Sequence, residues 1–415
     1  MEKIHLNILV FSQYFWPENF RINDWCKGMV ERGHSVTVLT GKPNYPSGNL
    51  DADYGVSPSA YDCYSGATII RVPMLTRGQS NWRLALNYAS FALSSTIFGL
   101  WKLRGKRFDV SFVFGVSPIT VALPAILYRA KTKTPVVLWV LDLWPESLRA
   151  VGIIRSTKVL NVVAYGVAWL YGHSDYILGQ SQAFVQDIKR LVPQHPQVHY
   201  ASNWSDQPSH GLATAFAPEI QRDSEVFTIL FSGNVGDAQD FPTILEAAQI
   251  LHLMTHETPR IRWVIVGAGR QLGWLKEQIT DRRLGDVVSV LGGYPLARMT
   301  SFYQHADAFL VTLRADEFLS KTIPGKVQAY LEFGKPLLGA INGETAKLIQ
   351  QAKCGLVVDA GDARGLSSAA IKLAASPLVQ RVEMGQKGRA YYQQFFEREA
   401  ALNEFEKYLY SAHAK

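Results

Sequence analysis

Cations and glycine gather in one segment of the second half of the chain, LRADEFLSKTIPGKVQAYL, over residues 313–331. An apolar run, AFLVTL, leads there into a loop that contains Arg314, Lys321, Gly325 and Lys326, and a helix is predicted to begin near Lys326. A helix start presents free N–H groups and a positive dipole to an anion, and cationic side chains add charge-assisted hydrogen bonds. The segment therefore predicts a site for a diphosphate that carries a sugar.

Glycine-rich turns precede this segment. FTILFSGNVGDAQDF places Gly233, Asn234 and Gly236 between a predicted strand and the predicted helix PTILEAAQIL, and Gly267 follows the next strand, RWVIV. Such turns offer N–H groups to phosphate oxygens, but they also occur in doubly wound domains for steric reasons. Both interpretations stay open for these glycines.

Two acidic residues follow an apolar strand in the first half, within TPVVLWVLDLWPES. Asp142 stands at the strand end, and Glu146 follows Pro145. Ligands of open α/β sheets bind outside the carboxyl ends of the strands. A carboxylate there can deprotonate an acceptor hydroxyl or stabilise positive charge on a sugar ring. Glu146 can also cap a first helical turn, so Asp142 is the preferred catalytic candidate.

Two further loops are predicted at the same sheet edge. YFWPENFRIN contains Asn19 and Arg21, and TGKPNYPSG contains Asn44 and Tyr45. Each loop alone is compatible with ordinary loop chemistry. Together they predict a surface for an acceptor or for a phosphate.

No metal site and no bound cofactor are predicted. Asp51 and Asp53 match a metal-binding DxD pattern, but they lie in a loop rich in Gly, Pro and Tyr and not at a strand end. The three cysteines form no CxxC pair, so neither zinc nor a disulfide framework is indicated.

The elements that position these residues alternate in a βαβ rhythm. Six short apolar runs in the first half and six in the second alternate with longer helical stretches, which predicts two Rossmann-like, doubly wound α/β domains facing across a cleft. We predict an N-terminal domain over 1–205, a linker over 206–226 and a nucleotide-sugar-binding domain over 227–390. The segment 391–415 is predicted to belong to one long terminal helix that packs back on the first domain.

The charge is uneven along the 415 residues. Residues 1–205 contain 20 Lys and Arg against 12 Asp and Glu, whereas 206–415 contain 22 against 23. A basic half suits anionic lipid or a phosphorylated substrate, and no nucleic-acid motif is present. The first residues resemble a buried strand more than a signal peptide, so a cytoplasmic location is expected.

Residues 84–101 form an uncharged run flanked by Trp82 and Trp101 and followed by four cations: Lys102, Arg104, Lys106 and Arg107. A half-buried helix is the preferred interpretation. A membrane span is the second, and the third is a helix that contacts the inner face of the plasma membrane without crossing it.

Several longer motifs resemble family 4 of the GT-B glycosyltransferases across nearly the whole chain. They are ERGHSVTVLTG, the SGN turn, VIVGAG, GYPLARMTSFYQHADAFL and EFGKPLL. The runs WPENFRIN, GKPNYP, DLWPES and TIPGKVQAYL are most similar to bacterial L-fucosamine transferases of O-antigen and capsule synthesis. The resemblance implies a UDP-sugar donor, retention of anomeric configuration, no metal requirement and a lipid-linked, undecaprenyl-type or polysaccharide acceptor.

The family pattern differs at the donor positions. Asn234 and Gln239 stand where many members have a diphosphate-binding Arg and Lys, and Ser320 and Gln328 replace two spaced glutamates. The resemblance then assigns the diphosphate to Arg314, Lys321 and Lys326, and a ribose hydroxyl to Gln328. Two alternatives are a nucleotide-sugar epimerase of the same fold and a non-catalytic sugar-binding subunit of an assembly complex.

Overall fold

The chain forms two α/β units, each built on its own largely parallel sheet. The computed structural model describes residues 4–45, 48–78, 80–150, 152, 154, 156–205, 215–254 and 259–414. The first unit comprises the chain up to Ser202 together with the segment from Ala401, and the second runs from Asn203 to Ala400.

The first unit contains eight strands: β1 (Asn7–Phe11), β2 (Ser35–Thr40), β3 (Cys63–Tyr64), β4 (Ala67–Arg71), β5 (Val110–Gly115), β6 (Val136–Val140), β7 (Tyr176–Gly179) and β8 (Val198–Tyr200). Their order is β3-β4-β2-β1-β5-β6-β7-β8, and only the β3–β4 pair is antiparallel. β5, β6 and β7 are buried along their whole length, as expected for strands covered on both faces.

Eight helices connect these strands: α1 (Arg21–Glu31), α2 (Ala52–Val56), α3 (Asn81–Ser94), α4 (Leu100–Lys102), α5 (Ala122–Thr132), α6 (Glu146–Ala150), α7 (Thr157–Gly172) and α8 (Gln182–Leu191). The connections from β4 to β5, β5 to β6 and β6 to β7 all run the same way across the sheet. Right-handed crossovers therefore put α3, α5 and α7 on one face, where α5 contacts both neighbours.

The second unit has six strands in the order β11-β10-β9-β12-β13-β14, all parallel. They are β9 (Phe227–Ser232), β10 (Ile261–Val266), β11 (Val288–Gly292), β12 (Ala308–Thr312), β13 (Leu337–Ala340) and β14 (Gly355–Val358). Its helices are α9 (Phe241–Leu253), α10 (Leu272–Asp281), α11 (Met299–Tyr303), α12 (Glu317–Ser320), α13 (Gly325–Phe333), α14 (Glu344–Ala352), α15 (Ala363–Ala375) and α16 (Leu378–Phe395).

Each sheet reverses its strand order once. The reversal lies between β1 and β5 in the first unit and between β9 and β12 in the second. The loops after these strands diverge to opposite faces and leave a crevice at the carboxyl edge, which is where open α/β sheets bind ligands. The sequence-predicted site residues fall mainly on these loops.

The prediction of a single terminal helix is wrong. α16 ends at Phe395, and a last helix, α17 (Arg398–His413), begins after Phe396 and Glu397. The Glu397 carboxylate accepts the N–H of Ala400 at 2.8 Å, so it caps the new helix. α17 packs into the first unit, where the Phe405 ring lies 4.7 Å from that of Trp139.

The predicted linker is also revised. Residues 206–214 lie outside the described part of the chain, but residues 215–226 are part of the second unit. Ala217 and Ile220 are buried in its core with Phe302, and the N–H of Ala217 donates to the carbonyl of Ser301 at 3.1 Å. Their burial explains why this polar-looking stretch is not a free connection.

The apolar run at 84–101 lies within α3, a π-helical stretch (Ser95–Gly99) and α4. Asn87 is buried on the inner side and accepts a hydrogen bond from Gln13 at 2.7 Å. Among the residues that the structure describes, no helix combines the length and apolar character needed to cross a bilayer. The half-buried helix preferred from the sequence is therefore the observed structure.

Candidate active site

Two interlocked turns close the carboxyl edge of the second sheet. Gly233 follows β9 with φ +132°, and Gly267 follows β10. A Cβ on Gly267 would lie 1.8 Å from the Gly233 carbonyl oxygen, and the Gly267 N–H donates to Gly292 at 2.7 Å. Gly267 is thus a packing residue and not the predicted donor ligand, whereas Gly233 and Asn234 are exposed at the edge.

Gly236 is likewise structural. It is buried, and its carbonyl accepts the N–H of Gln239 at 3.0 Å, which closes a 3-10 turn over Asp237–Gln239. α9 begins only at Phe241, so the predicted direct passage from glycine turn to helix is interrupted by this turn.

Lys326 reaches this turn from α13. Its amine donates to Gln239 Oε1 at 2.9 Å and lies 3.6 Å from the centroid of the Phe231 ring. A Cβ on Gly233 would lie 3.2 Å from Lys326 Nζ, so the amine sits directly beneath the exposed turn. Burial lowers the pKa of Lys326 well below its usual value. The Lys326 amine is therefore positioned to bind an anion at Gly233.

The other predicted donor residues of the loop after β12 differ in how close they lie to the Gly233 turn. Arg314 is exposed, and its backbone N–H donates to Ala238 at 3.0 Å, which places it beside the 3-10 turn. Lys321 instead pairs with Glu317, one helical turn earlier, at 3.1 Å. Gly325 is exposed as the first residue of α13. Arg314 and Gly325 therefore remain candidates beside Lys326, and Lys321 is engaged elsewhere.

The prediction that Gln328 contacts a ribose hydroxyl is wrong. Gln328 is only 1% exposed. With its amide oriented to satisfy its surroundings, its nitrogen donates to the carbonyls of Pro324 and Gly325 at 2.9 and 3.0 Å, so the side chain is bound to the backbone at the start of its own helix.

A tyrosine pair that the sequence interpretation missed fixes the end of β9. The Tyr330 hydroxyl accepts the Ser232 N–H at 2.7 Å, and Ser232 Oγ lies 2.8 Å from the Tyr303 hydroxyl. Burial raises the pKa of Tyr303 to about 12 and also raises the pKa of Tyr330, so both hydroxyls stay neutral. The network holds the residue that precedes the Gly233 turn.

In the first unit, Asp142 stands at the carboxyl edge beyond β6. The polar side chains of Ser117, Ser147 and Trp144 stabilise its charge, but burial has the larger effect and raises the pKa of Asp142. The Trp144 indole donates to Ser117 Oγ at 2.9 Å, which ties the loops after β5 and β6 together. A positioned carboxylate with a raised pKa is suited to proton transfer.

Three residues that the sequence interpretation missed lie near this edge: Tyr88, which is close to Asp142, and Tyr14 and Arg77, which are close to Tyr88. Burial and the neighbouring Tyr88 raise the pKa of Tyr14, and Asp142 contributes to the raised pKa of Tyr88. The Tyr14 side chain is buried, and the side chain of Arg77 lies close enough to lower its pKa in part. This cluster of polar side chains lies at a sheet switch point, where open α/β sheets bind ligands.

Glu18 organises the loops around Tyr14. Its Oε1 accepts the backbone N–H groups of Asn44 and Tyr45 at 2.6 and 2.7 Å, although burial still raises its pKa. The Asn44 side chain is buried between the loops: its Oδ1 accepts the backbone N–H of Arg77 at 2.8 Å, and the residue is only 2% exposed. The prediction that Asn44 contacts an acceptor is therefore wrong.

The remaining predicted residues keep accessible positions. Asn19 and Tyr45 are exposed, and Tyr45 carries the Arg77 guanidinium 5.2 Å from its ring centroid. Arg21 begins α1, and Glu146 begins α6. Glu146 thus stands in the first helical turn, and both of its predicted roles stay open.

The DxD candidates are accounted for by local structure. Asp51 accepts the Tyr54 N–H at 2.9 Å and caps α2, whose first turn contains Asp53. Within the described residues, no group of three or more His, Cys, Asp or Glu is arranged to hold a metal ion.

Two protein families match the two units of the chain. The family described as "Glycosyl transferase 4-like domain" matches residues 19–204, and "Glycosyl transferases group 1" matches residues 214–391. The chain is a glycosyltransferase of the GT-B fold. A similar curated protein is the "Putative colanic acid biosynthesis glycosyl transferase WcaI" of Escherichia coli (strain K12), which is 26% identical over 294 residues, 67% of this chain and 70% of that protein.

Solved structures share the fold along the whole length. Sucrose-phosphate synthase from Thermosynechococcus elongatus is 13% identical with a TM-score of 0.68, over 99% of this chain and 100% of that one. Anabaena Alr3699/HepE, solved in complex with UDP and glucose, is 15% identical with a TM-score of 0.64, over 98% and 100%. Both family descriptions name glycosyl transferases. They name neither of the two alternatives considered from the sequence, a nucleotide-sugar epimerase and a non-catalytic sugar-binding subunit.

Proposed function

We propose that this glycosyltransferase moves a sugar from a UDP-linked donor, with retention of anomeric configuration, to a lipid-linked acceptor of the undecaprenyl type during synthesis of a bacterial surface polysaccharide such as O-antigen or capsule. The observation that carries the donor half of the proposal is the Lys326 amine held beneath the exposed Gly233 turn. A uridine donor is supported by the fold relative that is complexed with UDP. A polysaccharide product is supported by the similarity to a protein named for colanic acid biosynthesis.

The donor diphosphate is proposed to bind the N–H groups at Gly233 and Asn234. Lys326 supplies a positive charge there, and Arg314 lies beside the same turn. When the diphosphate arrives, its charge raises the pKa of the lysine, which then takes up a proton and forms a charge-assisted hydrogen bond. The transferred sugar is proposed to be an N-acetylated deoxy sugar such as L-fucosamine, which rests on the motif resemblance.

The acceptor is proposed to bind the first unit near Tyr14, Arg77 and Asp142. Aromatic faces suit a sugar ring, a guanidinium suits a phosphate, and the Asp142 carboxylate suits the attacking hydroxyl. The Tyr14 ring is stacked on Phe20 at 5.1 Å, and the Arg77 side chain lies over the Tyr45 ring, so both groups are held in place.

A thermal-shift screen tests the donor assignment. We expect UDP-sugars, above all N-acetylated deoxy sugars, to raise the unfolding temperature, because a ligand at about 100 times its Kd stabilises the folded state by about 2.7 kcal/mol. Purine nucleotide sugars serve as the control. A larger shift with ADP- or GDP-sugars than with any UDP-sugar would contradict the proposal.

Activity is expected to survive chelation. The cation at Lys326 and the N–H groups of the turn can carry the charge of the leaving diphosphate, and the Asp51 carboxylate is already used as a helix cap. Turnover should be the same with and without EDTA. Loss with EDTA and recovery with Mg²⁺ or Mn²⁺ would return Asp51 and Asp53 to consideration as ligands.

The acceptor proposal requires approach to the inner face of the plasma membrane, with the enzyme cytoplasmic and peripheral. The helical stretch 81–102 is proposed as a contact, since exposed cations that attract anionic lipid lie at its end and directly after it: Lys102, Arg104, Lys106 and Arg107. Each cation near such a surface contributes about 1 kcal/mol, so a few give reversible attachment.

A further inference from the structure

The helical stretch 81–102 presents a row of large apolar side chains to solvent. Trp82, Leu93 and Trp101 are each more than 60% exposed. The full row, at spacings that keep it on the outer side, is Trp82, Leu86, Leu93, Ile97, Phe98 and Trp101. The inner side of the same stretch is buried, as Phe91 and Ser95 show.

A second exposed apolar row lies on α7, a helix that the sequence pattern does not single out. Val162 and Tyr165 are 73% and 79% exposed, and Val159 and Trp169 are exposed beside them. Leu127 on α5, which contacts both α3 and α7, is exposed between the two rows. We call the outer side of α3, α4, α5 and α7 the helical face.

The helices of the helical face are strongly basic. The segments 81–107, 122–133 and 157–172 contain no Asp or Glu but nine cations: Arg83, Lys102, Arg104, Lys106, Arg107, Arg129, Lys131, Lys133 and Lys158. Arg129 is paired with Asp175 at 2.7 Å, and Lys102 donates to the Arg71 carbonyl at 2.9 Å. In contrast, α1 and α17 together contain five acidic and four basic residues.

We propose that the whole helical face, with α7 as its second apolar row, lies in the plane of an anionic bilayer. This deepens the membrane contact of the proposed function, which involved only the stretch 81–102. Apolar and aromatic side chains would enter the headgroup boundary while the cations meet lipid phosphates. α7 has 16 residues, or about 24 Å at 1.5 Å per residue, which is shorter than the roughly 30 Å hydrocarbon core.

The charge pattern favours lipid over a protein partner of the same sequence. A second copy docked face to face would bring cation against cation, because the helices of this face contain no carboxylate and the neighbouring Asp175 is already paired with Arg129. Like charges across an interface are unfavourable. An anionic leaflet satisfies both properties of the face, since it accepts apolar side chains and attracts positive charge.

Vesicle co-sedimentation of the full chain tests the proposal. Wild type should bind equimolar phosphatidylglycerol and phosphatidylcholine, and should bind pure phosphatidylcholine more weakly. The double variant Val162→Ser, Tyr165→Ser should bind about tenfold more weakly, because two side chains no longer partition into the boundary. The matched control is Leu378→Ser, Val379→Ser on α16, where the side chains are 66% and 77% exposed and no effect is expected.

A second variant tests the basic flank. A variant with Gln in place of Lys102, Arg104, Lys106 and Arg107 should bind the anionic vesicles more weakly than wild type at low salt. Raising the salt concentration should then reduce the binding of this variant only slightly further. The stabilisation by UDP-sugars should be unchanged in every variant. This separates the two proposals, because a wild type that UDP-sugars do not stabilise would contradict the proposed function and leave the membrane proposal standing.

Three results would overturn the proposal. Wild type could ignore anionic vesicles, or the α7 variant could bind them as wild type does. Alternatively, sedimentation could show that wild type self-associates and that the α7 variant is monomeric, which would make the face an interface between copies.

Discussion

Replacement of Lys326 with Ala should lower the affinity for UDP about tenfold or more, since a charge-assisted hydrogen bond to a phosphate contributes about 1.5–3 kcal/mol. Lys326 is the lysine whose amine the structure holds against the Gly233 turn, through its contacts with Gln239 and Phe231. Isothermal titration of UDP into each variant measures the effect. Lys347→Ala is the control, because that exposed lysine pairs with Glu344 on α14 and lies on another helix.

The protonation of Lys326 gives a second signature. Its pKa is lowered in the free protein, and a bound diphosphate raises it, so UDP binding should take up protons at pH values above the lowered pKa. Titrations in buffers of different ionisation enthalpy measure this uptake, which should vanish in Lys326→Met. Equal affinity and equal proton uptake in wild type and variant would remove Lys326 from the donor site.

Replacement of Asp142 with Asn should lower kcat about 10²- to 10⁴-fold, the range for loss of a positioned acid–base group. Asn keeps the shape of the side chain beside Ser117 and Trp144 but removes the carboxylate. The UDP affinity should be unchanged, because the proposed donor contacts lie on the other unit. Steady-state kinetics with a saturating acceptor measure the loss.

The pH profile distinguishes a catalytic from a structural role of Asp142. Because burial raises its pKa and a base must be deprotonated, the acidic limb of the kcat/KM profile should report this group and disappear in Asp142→Asn. Glu146→Gln is the comparison. If it loses as much activity and Asp142→Asn retains its acidic limb, the catalytic assignment belongs to Glu146.

The fold was predictable because parallel strands buried on both faces appear as continuous apolar runs. All twelve predicted strands are present, from β1 to β14 without β3 and β8. Those two exceptions are short edge strands, Cys63–Tyr64 and Val198–Tyr200, which carry too few residues for a pattern. The break at Phe396 was missed because the helical spacing continues across it.

The sites were predicted at the level of loops and not of contacts. Sheet topology brings the loops that contain Asp142, Gly233 and Lys326 to the carboxyl edge, as expected from their positions after strands, and their roles stay predictions. Whether a polar side chain faces a ligand or its own backbone depends on tertiary packing, and this misled the interpretation of Asn44 and Gln328. The contact between Lys326 and Gln239 joins residues 87 positions apart, and no local pattern indicates it.

The return of the chain to the first unit at Ala401 has a consequence for biosynthesis. Phe405 of α17 lies against Trp139 and the stacked pair Trp25 and Phe112, so the core of the first unit is incomplete until this helix has been synthesised. The second unit, which is continuous from Asn203 to Ala400, is complete in sequence before that point. On the ribosome the later half is therefore able to mature first, while the earlier half keeps an open aromatic groove that needs protection from aggregation.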